Sequence, residues 1–87
     1  MARYEIEISQ TAEKQLKKLA RRDQRRVVAA ILALGEDPRP RGSRKLSGYD
    51  DVFRIRAGRY RIIYSLARRK LLVIILKIGQ RKDAYRS

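Results

Sequence analysis

The sequence predicts an α+β domain in which one strand and an antiparallel pair of helices precede three or four antiparallel strands, the helices packed on one face of the sheet. Three observations carry this. Arg3-Tyr4-Glu5-Ile6-Glu7-Ile8 alternates with period two, apolar residues recur at spacings of three and four between Ala12 and Leu34, and two further alternating runs flank a turn at Ala57-Gly58. No repeat, low-complexity tract or linker divides the chain, so residues 1–87 read as a single domain near the size at which one core suffices.

In the first strand Tyr4, Ile6 and Ile8 share a side, and the charges between them suit a sheet edge. Ser9 is placed to cap a helix whose face is Ala12, Leu16 and Leu19, with Glu13 favouring the positive end and a stop expected near Ala20 to Arg22. Asp23 offers a second cap, followed by a wider stripe of Val27, Val28, Ile31, Leu32 and Leu34 that should run to about Gly35. Asp37-Pro38-Arg39-Pro40-Arg41-Gly42 cannot continue a helix, because its two prolines lack amide donors and restrict their predecessors. Lys45-Leu46 can form a short strand, and Ser47-Gly48-Tyr49-Asp50 turns into the hairpin. Ala67-Arg68-Arg69-Lys70 is read as the next turn. Leu71 to Ile78 is apolar at both parities except for Lys77, the pattern of a central strand covered on both faces. The polar segment from Gly79 to Ser87 is expected to leave the sheet.

Composition narrows the function. Lysine and arginine number 23 against 9 acids, a formal charge of +14, which implies a polyanionic partner and salt-sensitive binding. Cysteine and histidine are absent, which excludes a disulfide framework and a thiolate zinc site; no metal or cofactor is implied, and a reducing cytoplasm fits. No apolar run exceeds the six residues Leu71 to Leu76 and no signal-peptide core opens the chain, so it is read as neither membrane-spanning nor secreted.

The hairpin concentrates the charge. In Val52-Phe53-Arg54-Ile55-Arg56, Phe53 and Ile55 face one way while Arg54 and Arg56 face the other; in Arg59-Tyr60-Arg61-Ile62-Ile63-Tyr64, the tyrosines and Ile62 oppose Arg59, Arg61 and Ile63. Arg54, Arg56 and Arg61 are therefore expected to line the exposed face of the sheet, where planar guanidinium forks suit phosphates. A second basic set, Lys14, Lys17, Lys18, Arg21, Arg22, Arg25 and Arg26, lies on the helices and their connection. It reads equally as a solvated face or as a docking surface for nucleic acid.

The ordered set Lys45-Leu46-Ser47-Gly48, Phe53-Arg54-Ile55-Arg56, Gly58-Arg59-Tyr60-Arg61-Ile62-Ile63-Tyr64 and Ile78-Gly79-Gln80-Arg81-Lys82, with Tyr85 downstream, resembles the RelE/ParE superfamily of bacterial and archaeal toxins, and its RelE branch more closely. The resemblance spans nearly the whole chain. It implies the toxin of a type II toxin–antitoxin system, a RelE-like (microbial RNase-type) fold, a cognate antitoxin, and cytoplasmic cleavage of mRNA in the ribosomal A site by 2'-hydroxyl attack on the adjacent phosphate. Position by position, Arg54 and Arg56 stand where the family usually has strand lysines. Arg61 matches its phosphate-binding arginine, Arg81 the arginine after the last long strand, and Tyr85 the C-terminal tyrosine. The spacing from Arg81 to Tyr85 is shorter than in the family, and no C-terminal helix follows.

Transesterification needs alignment, charge stabilisation on the phosphorane and proton transfer at both ends. Arginines supply the charge; without histidine, Tyr85 is the candidate base, its phenol acidified by cations such as Arg81. Arg56 is a poor donor to the leaving oxygen, because a guanidinium titrates only above about 12. Lys45 and Lys82, with Lys17, Lys18, Arg21, Arg22 and Arg25, are the expected RNA contacts. Two alternatives stay open: a ParE-like toxin that poisons DNA gyrase, and a non-catalytic basic module coating RNA, for which only Tyr49 and Tyr85 are free to stack on bases.

Overall fold

The apolar run near the C-terminus becomes an inner strand of a five-stranded sheet. The structure, a computed structural model, describes residues 3–80. Its elements are β1 (Glu5–Ile8), α1 (Gln10–Lys17), α2 (Arg21–Glu36), β2 (Arg44–Lys45), β3 (Val52–Ala57), β4 (Tyr60–Ala67), a 3-10 turn (Arg68–Lys70) and β5 (Leu72–Gln80). The sheet order is β1-β5-β4-β3-β2, so β1 is an edge and β5 lies between β1 and β4. β1 runs parallel to β5 and the other pairings are antiparallel.

Both helices bury one face against the same side of the sheet. Ala12, Val27, Ile31 and Leu34 join Phe53, Ile55, Ile62, Tyr64, Val73, Ile75 and Ile78 in the core. The core rows follow the register: Ile8-Ile75-Tyr64-Phe53 is one, and Ile78-Ile62-Ile55 is the next. Phe53 and Tyr64 stack with centroids 5.8 Å apart, and the Arg39 guanidinium lies 4.3 Å from the centre of the Phe53 ring. The Tyr64 hydroxyl donates to the Pro38 carbonyl at 2.7 Å, so the proline-rich connector is clamped onto the sheet at two points.

Several element ends differ from the sequence reading. α1 stops at Lys17, where the Gln24 side-chain amide donates to the Leu16 and Lys17 carbonyls, so α2 itself closes the end of α1. α2 starts at Arg21 behind Ala20, which provides no side-chain cap, and Asp23 sits inside the first turn. Gly35 lies within α2 because β1 passes close by: a Cβ there would sit 3.1 Å from the Tyr4 carbonyl oxygen. The hairpin turn is Gly58-Arg59, because Ala57 still pairs with Tyr60, and β5 continues through Gly79 to Gln80.

Part of the both-parity pattern of β5 comes from a register shift. Ile63 pairs with Lys77 but Tyr64 pairs with Ile75, so Leu76 is an extra residue, a β-bulge. Before it Val73 and Ile75 point into the core, and after it Ile78 does. Beyond Ile8, β1 no longer covers this edge of β5, and α1 takes over. The Ser9 hydroxyl donates to the Leu76 carbonyl at 3.0 Å while accepting from the Ala12 amide at 3.1 Å, and the Gln15 side-chain oxygen accepts from the Ile78 amide at 2.6 Å. One serine thus caps α1 and satisfies the bulged carbonyl.

Replacing Ser9 with alanine removes both bonds, and the expected loss is about 2–3 kcal/mol, a cap plus a stranded part-buried carbonyl. Urea unfolding followed by circular dichroism should show the lower midpoint, with Ser9→Thr recovering most of it.

Candidate functional site

On the sheet face away from the helices, the register groups the cations. Arg44, Arg54, Ile63 and Lys77 form one cross-strand row, and Arg56, Arg61 and Gly79 the next. Directly opposed residues share a face, so five cationic side chains converge near the β3–β4 hairpin. At the far corner, Glu5 pairs with Leu72 and Glu7 with Ile74, which puts two acids on the same face beside β1. The face is therefore polarised, positive at the hairpin end, and an anion is drawn there.

The arginines differ in setting. Arg56 is exposed and Arg54 is half-buried, as expected of an open face. Arg61 shares the face but is not part of its exposed lining: it is 3% exposed. It lies on the inner strand β4, opposite Arg56 on β3 and Gly79 on β5.

The hairpin that carries Arg56 and Arg61 is fixed from the helix side. The Tyr60 hydroxyl donates to the Asp23 carboxylate at 3.1 Å. Gly58 has φ +63°, and a Cβ on it would lie 2.7 Å from an Arg26 guanidinium nitrogen, so the Arg26 side chain rests directly on the turn. The first turn of α2 therefore abuts the hairpin. Arg21, Arg22 and Arg25 are exposed there, and Lys17 and Lys18 are exposed at the end of α1 just before it. The helix set and the sheet set meet around the hairpin end.

Lys45 behaves differently. It pairs with Phe53, which points into the core, so Lys45 projects on the helix side of the edge and its neighbour Arg44 takes the place in the arginine row. Arg44 and Lys77 are the two cations of this face that the sequence reading left out. The lone lysine in an otherwise apolar strand was the available signal for Lys77; Arg44 depended on a register that no residue pattern specifies. Beside β3, past the end of β2, a cleft of 740 Å³ opens between α2 and the connector, lined by Ala30, Ala33, Pro40, Arg41 and Gly42 and by Arg44, Arg54 and Arg56. Arg81, Lys82 and Tyr85 lie outside the described residues. Among the described residues no cluster of three or more potential metal ligands occurs, and no helix is long and apolar enough to cross a membrane.

The fold and this face define a small basic domain with a cluster of cations on one face of its sheet. Comparison with known proteins gives the family. The family model described as the ParE toxin of the type II toxin–antitoxin system parDE matches residues 6–85. The chain is 30% identical to a toxin named RelE1 of Methanocaldococcus jannaschii over 98% of each protein. It superposes on the toxin–antitoxin complex RelBE2 of Mycobacterium tuberculosis with a TM-score of 0.83 at 29% identity, covering 93% of this chain and 94% of that one. For the archaeal RelE–RelB complex of Pyrococcus horikoshii the values are 0.81 and 32%, covering 93% and 97%. The chain belongs to the RelE/ParE family of type II toxin–antitoxin toxins.

Two core tyrosines give this scaffold a pH dependence. Burial, then the bond to Asp23 and its charge, raise the Tyr60 phenol above its ordinary value of 10.0, and burial raises Tyr64, partly opposed by Ser43 and Arg39. The folded state therefore favours both neutral phenols. Their contribution is fully present below pH 10 and is lost as pH rises through the raised values. Absorbance titration at high pH should show two tyrosines ionising late and together with unfolding, and Tyr60→Phe should remove one of them.

Proposed function

We propose that this toxin is an mRNA endonuclease that acts on the ribosome, the 2'-hydroxyl of one nucleotide attacking the adjacent phosphate in the A site. The observation that supports this best is the pairing of Arg56 with Arg61 beside the row of Arg54 and Lys77, which provides guanidinium forks of differing exposure around one spot. Arg61 holds a non-bridging oxygen, and Arg54 and Arg56 offset the charge that grows on the phosphorane. Arg81 adds to that charge, and Tyr85 accepts the 2'-hydroxyl proton. The ribosome aligns the reacting atoms, a contribution a domain with so open a face does not make alone.

Lys17, Lys18, Arg21, Arg22 and Arg25 contact RNA around the hairpin end, and Lys45 and Lys82 are further RNA contacts. The reaction takes place in the cytoplasm, where ribosomes and message are. A cognate antitoxin silences the toxin, as the RelE–RelB complexes of relatives suggest. An acidic antitoxin segment would neutralise much of the +14 charge. A second reading, ParE-like action on DNA gyrase, is favoured by one observation: the matching family model carries the ParE description.

Purified protein added to a cell-free translation reaction should create new RNA 5' ends at codon positions, mapped by primer extension, only when ribosomes are present. Arg56→Ala should reduce their rate by roughly 100-fold or more, the usual cost of removing one transition-state charge partner. Intact message together with gyrase-dependent DNA breaks would establish the second reading instead. Independently, binding to a single-stranded RNA oligonucleotide should weaken with salt, and Arg56→Ala should lower the log–log slope by roughly 0.7 per lost phosphate contact. An unchanged slope would remove Arg56 from the interface.

A further inference from the structure

The proposed chemistry leaves one proton without a carrier. When the P–O5' bond breaks, the departing oxygen must be protonated, and the two cations that β3 places on this face are arginines, which hold their protons too tightly to give one up. Lys77 supplies an ammonium on the same face by another route. Had β5 run on regularly from Ile75, Lys77 would share the core parity of Val73 and Ile75. The bulge at Leu76 turns it to the opposite side, into the row of Arg54 and next to that of Arg56 and Arg61.

The bulge is held on both flanks of Lys77. The Leu76 carbonyl is bound by the Ser9 hydroxyl and the Ile78 amide by the Gln15 side chain. Lys77 is half-buried, so it is not shut away from solvent as the core residues of β5 are. The next position of β5 on this face is Gly79, which makes Lys77 the side chain that β5 contributes to the cationic end of the face among the described residues.

We infer that Lys77 is the general acid of the cleavage reaction, delivering its proton to the 5'-oxygen of the leaving nucleotide. The inference rests on the endonuclease reading. In the step, the 2'-oxygen forms a bond to phosphorus, the P–O5' bond breaks, one proton passes from Lys77 Nζ to O5', and the 2'-hydroxyl proton goes to the base at the other end. The products are a 2',3'-cyclic phosphate and a 5'-hydroxyl, and the neutral amine regains its proton from water. No oxidant, metal or co-substrate is required.

The test uses the full-length toxin on ribosomes programmed with two messages, one with the natural 5'-oxygen at the scissile linkage and one with 5'-sulfur, a leaving group that departs without protonation. On the oxygen message, Lys77→Ala and Lys77→Arg should both slow single-turnover cleavage by roughly 100-fold or more, within the span of general acid catalysis. On the sulfur message both variants should cleave nearly as fast as wild type. The arginine variant keeps the charge, so its defect separates proton delivery from phosphate binding, and its cleavage of the sulfur message demonstrates that it is folded. An equal loss on both messages, or Lys77→Ala cutting the oxygen message at the wild-type rate, overturns the inference and leaves the endonuclease reading standing. A wild-type protein that cuts neither message overturns both.

Discussion

The two side-chain bonds from α1 to the bulged strand are the constraint on which the working face depends. Ser9 and Gln15 bind the backbone of β5 at Leu76 and Ile78, at the point where β1 ends and an unprotected edge would otherwise begin. Without them the extra residue at Leu76 has no partner for its carbonyl, and a regular strand would send Lys77 into the core and Ile78 out of it. Holding the bulge keeps Ile78 beside Ile62 in the interior and Lys77 beside the arginines outside. A helix-capping serine thereby sets the composition of the opposite face of the sheet.

The same economy appears at the hairpin. Ala20 leaves α2 without a side-chain cap, and Arg21 and Arg22 occupy its first turn, where the helix dipole disfavours positive charge. Asp23 offsets this locally and also receives the Tyr60 hydroxyl, tying the helix start to the strand that carries Arg61. Arg26 packs over Gly58 on the adjoining turn. A helix start that gives up stability in this way is expected where charge serves binding, and this one adjoins Arg56 and Arg61. The far side of the sheet is steadied by the connector, through Arg39 on Phe53 and Tyr64 on Pro38.

Much of this architecture was legible in the residues. Strict alternation in 52–64 established which hairpin side is apolar, and Ser9 was recognisable as a cap because a short hydroxyl side chain precedes a helical stripe. The start of α2 was misread because Asp23 looks like a cap, while the true boundary at Ala20 carries no capping side chain. The burial of Arg61 was not legible, since parity gives the face of a residue and not how deeply its neighbours enclose it. The place of Arg44 in the cationic row was not legible, because it depends on the register with β3. Apolar residues at both parities of β5 point to a strand buried on two faces, yet part of that pattern is a parity change at Leu76, with the lone Lys77 as its mark.

In the proposed reaction the phosphate to be cut rests on the hairpin end of the sheet, between the rows of Arg54–Lys77 and Arg56–Arg61. The most direct measurement is a cryo-electron microscopy structure of the toxin on a ribosome whose message carries a 2'-O-methyl group at the scissile nucleotide, which blocks attack without removing the phosphate. Hydrogen bonds from Arg56 and Arg61 to the non-bridging oxygens, with the Lys77 ammonium against the 5'-oxygen, are the expected result. A scissile phosphate lodged against α1 and α2 instead, or Lys77 turned away from the 5'-oxygen, would contradict the proposed reaction.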